Sequence, residues 1–553
     1  MNNIPADKPT LNPSVFSKYA SNFYSHLILI LLVELAAYTG MFFVYFLSDD
    51  FNLLIGTSRW LTPAAEFFRP IPHLLVHLFY KLFGMNVFPY HVLSFLIHYG
   101  NAVLIYLILR KTEKNNYVAL AGSLFFAANF LISEAVFWIS AVTTLLVTLF
   151  YLLTVYCYIN FLSKLQKKYY ALALISFVLG LLTKENAVTL PVVLILVHFY
   201  YAANPATADQ RTINRTLRNP LPGRGAPEGR GGLESIPKNK NSLQRGTGGM
   251  NLRSRLIASF KGALPFIVAA SAYLAVKASS LSAAVSDSTL ALGYHNVQNV
   301  RHCLLSLFTF NSFSDLPFIF VDVKIMNLFF SSPTEIEALA IDFKFFTTLI
   351  IGTAILLFCL YLIIKGKKNI KFAFWAFLIS IGPFAFVPSI HIPFRGHYMY
   401  PLRIYYLPAA FFYMFFALLL FNGFNRLKKR IKSPRPVILL VVLIPAIIIF
   451  SDVLKVGKRS VDWQTAGTVT QRVLGHLDGY VSDSPEETTL VLFNLPDSYR
   501  GVYIFRNGLQ SAVKLLHPGA KVKIEIAKVS RQDYKISPER LSKENIVFID
   551  CDY

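Results

Sequence analysis

Apolar blocks of near-spanning length, separated by charged clusters, fill the first 450 residues of the chain. They run over residues 27–47, 88–109, 117–132, 138–162, 170–182, 187–201, 264–276, 345–364, 372–387, 404–420 and 437–450. A helix needs about 20 apolar residues to cross the hydrocarbon core, so the shorter blocks need flanking residues to complete a crossing. With 54% hydrophobic and 15% charged residues and a mean hydropathy of +0.49, the chain falls outside the soluble globular classes. The expected fold is an all-α polytopic membrane protein of about eleven transmembrane helices. The first block starts far from Met1, is too long for a signal-peptide core and precedes no small-residue cleavage site, so it is expected to stay in the membrane.

A net charge of +23 would point to nucleic acid in a soluble protein, but here placement outweighs size. Arg110-Lys111, Lys164 with Lys167-Lys168, the stretch 211–255, Lys365 with Lys367-Lys368 and the stretch 426–435 all fall between blocks on one side. The positive-inside rule makes that side cytoplasmic. Residues 1–26 then lie inside. The Asp49 loop, Glu134, Lys184-Glu185, the 281–344 loop with its interfacial helices, the 390–402 loop and the C-terminal tail lie outside. Basic residues scattered over short connectors without interleaved aromatics argue against a nucleic-acid partner and leave membrane lipids as the surroundings.

Residues 204–255, rich in Gly, Pro, Arg, Asn and Ser, read as a disordered basic cytoplasmic loop, since they bury too little apolar surface to order themselves. The membrane domain is expected over 27–451. From 452 to 553 the pattern changes to that of a small extracytoplasmic α/β domain, with a polar helical run at 463–477 and β-type runs at 489–493 and 521–526. Cys157, Cys303, Cys359 and Cys551 show neither CxxC nor metal-finger spacing, so neither a disulfide framework nor a zinc site is indicated. The one Asn-x-Thr sequon, Asn214-Arg215-Thr216, falls on the inner side, in keeping with a bacterial plasma membrane.

Polar groups at the outer boundary are the candidates for chemistry. Asp49-Asp50 follows the first block directly, after Tyr45-Phe46-Leu47-Ser48. A solvated helix end has the same appearance; as function, a carboxylate there is a general base where a lipid-borne donor meets an aqueous acceptor. Arg69-Pro70-Ile71-Pro72-His73 opens an amphipathic run with His77 and Lys81 that suits an interfacial helix. The planar fork of Arg69 can bind two phosphate oxygens or snorkel to headgroups. His91 leads into a block with His98 and Asn101, whose expected role is hydrogen bonding between helices.

Several segments recur in one order and on one side: Ser48-Asp49-Asp50-Phe51, Arg69-Pro70-Ile71, the run 84–91 ending in Pro89-Tyr90-His91, and His98-Tyr99-Gly100-Asn101. Ser133-Glu134 through Ser140, Thr183-Lys184-Glu185-Asn186 and Leu402-Arg403 through Pro408 continue the series. Together, from about Tyr45 to Leu420, the chain resembles the GT-C superfamily of membrane glycosyltransferases, in particular the protein O-mannosyltransferase-like and TMTC-like branch without its helical repeats. It departs from that branch at 128–133 and at Ala141-Val142-Thr143-Thr144. The resemblance implies transfer of a sugar from a polyprenyl-phosphate donor to a glycan, lipid or protein acceptor on the outer face, with inversion. Asp49 matches the first-loop acid and is the expected base, with Asp50 as orienting group or understudy. For the donor phosphate the expected cradle is Arg69, His391, Arg395, His397 and Arg403, because the short 390–402 loop concentrates basic residues against the charge bias of its side. His73, His91, Glu134, Lys184 and Glu185 are expected in supporting or substrate-orienting roles, Glu134 towards the acceptor or Arg69. Lys184-Glu185 can also simply neutralise each other.

Other classes stay open on the sequence. An O-antigen polymerase or ligase would use the His391–Arg403 cluster but leave Asp49-Asp50 unexplained. A transporter calls for matching halves with broken helices, and no internal symmetry is evident; a non-enzymatic envelope scaffold would tolerate loss of Asp49. No cofactor is indicated, and two adjacent carboxylates without a third ligand are a weak basis for a divalent metal.

Overall fold

The computed structural model describes residues 23–56, 68–113, 115–201, 252–284, 357, 361, 365–382, 392–394, 397–399, 402–431, 435–485, 488–537 and 545–551. Backbone inside a bilayer has no water to bond and must bond to itself, so the apolar runs become helices. These are α1 (Phe23–Tyr38), α2 (Asp49–Ile55), α3 (Pro70–Phe83), α4 (Val87–Glu113), α5 (Asn116–Ala127), α6 (Ser133–Phe137) and α7 (Val142–Lys164). They continue with α8 (Lys167–Leu181), α9 (Leu190–Tyr201), α10 (Leu252–Ala284), α11 (Lys368–Ile381), α12 (Tyr406–Arg430) and α13 (Arg435–Asp483).

The protein is a polytopic, mainly helical membrane protein. Among the described residues six helices are long and apolar enough to cross a membrane, or seven if the bent pair α5–α6 is one span. The shorter α8, α9 and α11 occupy three further expected blocks, and most of the block 345–364 lies outside the described residues, as do nearly all of the 204–255 and 281–344 loops.

The chain bends by 51° between α5 and α6. A break at that depth frees backbone groups, which a membrane tolerates only where neighbours bond them. Asn129 supplies much of this: its Oδ1 accepts from Leu131 N at 3.0 Å and its carbonyl accepts from Tyr38 at 3.2 Å. Its Nδ2 donates to Tyr413 at 2.5 Å and to Asp452 at 3.2 Å, which ties the break to α12 and α13. His98 meets the Tyr406 hydroxyl at 2.7 Å and Ala127 O at 3.1 Å, while Asn101 donates to Leu145 O at 3.1 Å, so polar side chains join α4, α5, α7 and α12.

Helix α13 is 49 residues long, about 70 Å at 1.5 Å per residue. Its first turns leave Leu439, Val442, Ile447 and Phe450 exposed to lipid. Further on it packs inward: Trp463 stacks on Phe137, Gln464 donates to Gly40 O at 2.9 Å, and Gly467 lies against the Tyr45 backbone. The helix passes residue 452 without interruption, and the polar run expected at 463–477 is its last third. The change in composition marks where one helix leaves the bilayer.

Beyond α13 lies a small α/β unit. Strand β1 (Thr488–Phe493) is buried along its whole length at the centre of a parallel sheet, between β2 (Lys523–Ile526) and β3 (Asn545–Asp550). A strand covered on both faces is apolar throughout rather than alternating, as Leu490-Val491-Leu492-Phe493 is. Helix α14 (Leu509–Leu516) makes the β1-to-β2 crossover, and its first turn is set against α2. Gly508, at φ +94°, makes that approach possible, since a Cβ there would stand 2.1 Å from Ser48 O. Gly508→Ala is therefore expected to cost about 1–3 kcal/mol and to loosen this docking. A lowered melting temperature in detergent, with faster proteolysis between α13 and β1, is the check.

Candidate active site

The acid pair opens α2, and its two carboxylates have different fates. Asp50 is buried, and its Oδ1 accepts from Ser140 N at 2.7 Å and Ser140 Oγ at 2.5 Å while its Oδ2 accepts from Leu47 N at 2.9 Å. Burial outweighs these donors and pushes its pKa up to about 7. Asp49 is half-exposed, and its Oδ1 accepts from Asn507 Nδ2 at 3.2 Å. Trp138 closes the loop from beneath, its Nε1 donating to Leu47 O at 3.4 Å and its ring packed against Tyr503 and Trp463.

Three cations converge beside this loop. Arg403 lies over the Trp138 ring at 4.5 Å and donates to Glu134 Oε1 at 2.5 Å. Arg69 grips Glu185 with two bonds, Nε to Oε2 at 3.3 Å and a terminal nitrogen to Oε1 at 2.8 Å. Lys184 is held by a hydroxyl, Nζ donating to Thr144 Oγ1 at 2.8 Å. It is partly buried. Burial first, then the nearby Arg69 and Arg403 guanidiniums, push its pKa down to about 7, with Glu185 opposing them. Ser140 and Thr144 sit about one helical turn apart, some 6 Å along the axis, so the acid loop and Lys184 are anchored on one short stretch. Such an array suits an anion beside a carboxylate.

The structure thus brings together Asp49, Asp50, Arg69, Glu134, Lys184, Glu185 and Arg403. His73, one turn from Arg69 on α3, is held below its usual range by burial and by that arginine. His91 serves the backbone leading into the loop, with Nε2 at 2.8 Å from Val44 O. His391 and Arg395 lie outside the described residues, and of His397 only the backbone is described, in the strand His397–Met399 paired with Ile392–Phe394. Glu134 binds Arg403, and Glu185 binds Arg69 beside Lys184. In the sequence Ser140 and Thr144 stand only as members of the 133–140 and 141–144 segments, with no role of their own. The spacing of four between Ser140 and Thr144, at the mouth of an apolar helix, was the available signal.

Comparison with known proteins adds a family match for part of the chain. Residues 69–216 match the dolichyl-phosphate-mannose-protein mannosyltransferase family. The resemblance to GT-C membrane enzymes is borne out over that stretch, which holds Arg69, Glu134, Ser140, Thr144, Lys184 and Glu185. A crystal structure of ArnT from Cupriavidus metallidurans bound to undecaprenyl phosphate aligns over 91% of this chain and 90% of that one, at 11% identity and a TM-score of 0.37, a likeness too loose to carry weight. No curated protein matches the sequence.

The contrast between the two acids is measurable. In Asp50→Asn the new amide faces the Leu47 N–H donor, and a buried unsatisfied group costs about 1–3 kcal/mol, whereas the half-exposed Asp49→Asn should leave stability close to wild type. With its folded pKa raised, Asp50 contributes stability that is fully present below the ordinary carboxyl range and is lost as pH rises to about 7. The melting-temperature gap between wild type and Asp50→Asn should therefore narrow from pH 4 to pH 7.

Proposed function

We propose that this protein is a GT-C-type glycosyltransferase that moves a sugar from a polyprenyl-phosphate donor to an acceptor on the outer face of the membrane. Asp49 is the general base. The observation that carries this reading is the convergence of Arg69, Lys184 and Arg403 beside the Asp49 loop, anchored through Ser140 and Thr144. The matched family's own name specifies dolichyl-phosphate-linked mannose and protein acceptors; polyprenyl phosphate is the donor feature taken over here.

The chemistry follows from the placement. Asp49 takes the proton of the acceptor hydroxyl as its oxygen forms a bond to the anomeric carbon. The bond from that carbon to the phosphate oxygen breaks on the opposite side, which inverts the centre, and the electron pair leaves with the polyprenyl phosphate. Phosphate needs no strong proton donor to leave, only cations where its charge grows. Arg69 and Arg403 are kept in position by Glu185 and Glu134, and Lys184, with a hydroxyl as partner, is the cation readiest to turn to the phosphate. A phosphate beside it favours the ammonium form, so donor binding takes up a proton near neutral pH.

Radiolabelled transfer by purified protein from a panel of polyprenyl-phosphate sugars, with envelope extract as acceptor, tests the reading. Asp49→Asn should lose about 100-fold or more, the scale of a missing general base. Equal transfer by the folded variant would remove Asp49 from the mechanism, and no transfer from any donor by wild type would overturn the reading. Lys184→Met should raise the KM for donor by about tenfold, within the range for a hydrogen bond to a charged group, and should flatten its pH dependence around 7. An unchanged KM would take Lys184 out of the phosphate site.

A further inference from the structure

The C-terminal unit reaches the acid loop at the residue assigned as base. Asn507 Nδ2 donates to Asp49 Oδ1 at 3.2 Å, across 458 residues of sequence. The same turn holds the loop at several other points. Ser48 N donates to Ile504 O at 2.9 Å, Asn507 N donates to Ser48 Oγ at 3.3 Å, and Ser511 Oγ donates to Asn52 Oδ1 at 2.6 Å. Ser48 itself stands at φ +46° and ψ −111°, a conformation that L side chains rarely adopt. Backbone of that kind persists where its surroundings over-determine it, and here residues 504–511 are those surroundings. The loop that points Asp49 is therefore shaped from the C-terminal side as well as from the membrane side, where Ser140 clamps Asp50.

We propose that Asn507 is a positioning residue for the transfer reaction. Its amide holds one oxygen of Asp49 so that the other faces the acceptor hydroxyl, and the C-terminal unit thereby completes the catalytic site. This inference rests on Asp49 being the general base. An aspartate carboxylate rotates in a broad well about χ2, so without a second anchor its oxygens sweep past the acceptor. A base must lie within about 2.6–3.2 Å of the proton it takes, and small misplacements are costly in rate. A neutral amide suits the task, because it fixes the carboxylate while leaving its negative charge, where a lysine or arginine would quench its basicity. Asn507 is exposed, and no packing depends on its side chain being retained.

The test uses the full-length protein and the transfer assay, with kcat and donor KM measured separately. Asn507→Ala should lower kcat by about ten- to a hundred-fold, the range for a hydrogen bond to a charged group, at an unchanged donor KM. Asn507→Gln, which keeps the amide, should regain part of the loss. Added to Asp49→Asn, the Asn507→Ala substitution should cost nothing further, because a positioning residue then has no base left to place. A wild-type kcat for Asn507→Ala, or losses that multiply in the double variant, would overturn the positioning role and leave Asp49 as base. Undiminished transfer by Asp49→Asn would overturn the base, and the role of Asn507 with it.

Discussion

A carboxylate taken out of water needs donors, and Asp50 has three of them on two elements. That clamp fixes the loop after α1 to the mouth of α7, and the rest of the site is set by it. Successive residues of a helix point about 100° apart, so once Asp50 is turned inward its neighbour Asp49 is turned outward. Two acids that look equivalent in sequence thus divide between holding the loop and facing the boundary. The buried one is the less suited to proton transfer with an acceptor, because its lone pairs are spent on Leu47 and Ser140.

The cations obey a complementary constraint. Three basic groups gathered at one place repel, and each must be balanced or lose its charge. Glu185 and Glu134 balance the two arginines, which cannot lose a proton, and Lys184, which can, is the one left with a hydroxyl. The arrangement keeps two guanidiniums in register through their carboxylate partners and leaves Lys184 on a hydroxyl. Trp138 joins the two halves, lying under Arg403 on one side and bonded to Leu47 on the other.

Much of the membrane fold was legible because lipid imposes a length and a composition on every crossing. The blocks 88–109, 138–162 and 404–420 become α4, α7 and α12 with ends shifted by a few residues, except that α12 runs on to Arg430. Arg69, Glu134, Lys184, Glu185 and Arg403 stood out as charges at the apolar boundary. Their pairing was not legible, since it depends on contacts 116 and 269 residues apart. Lys184 and Glu185 adjoin in sequence, and Lys184 is extended at φ −162° and ψ 145°. Extended backbone sends neighbouring side chains to opposite sides, so one meets Thr144 and the other Arg69. Ser140, Thr144 and Asn507 carry no charge, and only the assembled fold shows what they bind.

The long helix α13 explains how a small unit at the end of the chain comes to shape a loop near its start. A flexible linker from the last span would let residues 488–551 explore a wide volume and would lower their effective concentration at the Asp49 loop. A continuous helix packed on Phe137, Gly40 and Tyr45 removes most of that freedom before docking begins. Its polar outer third, which in sequence resembles the start of a separate domain, is therefore the strut that carries Ile504, Asn507 and Gly508 to Ser48 and Asp49. The strained backbone of Ser48 is sustained by that pre-ordered contact, at a cost of about 1–3 kcal/mol for such a conformation. Membrane part and C-terminal unit are in this sense one mechanical piece, with the acid loop at their junction.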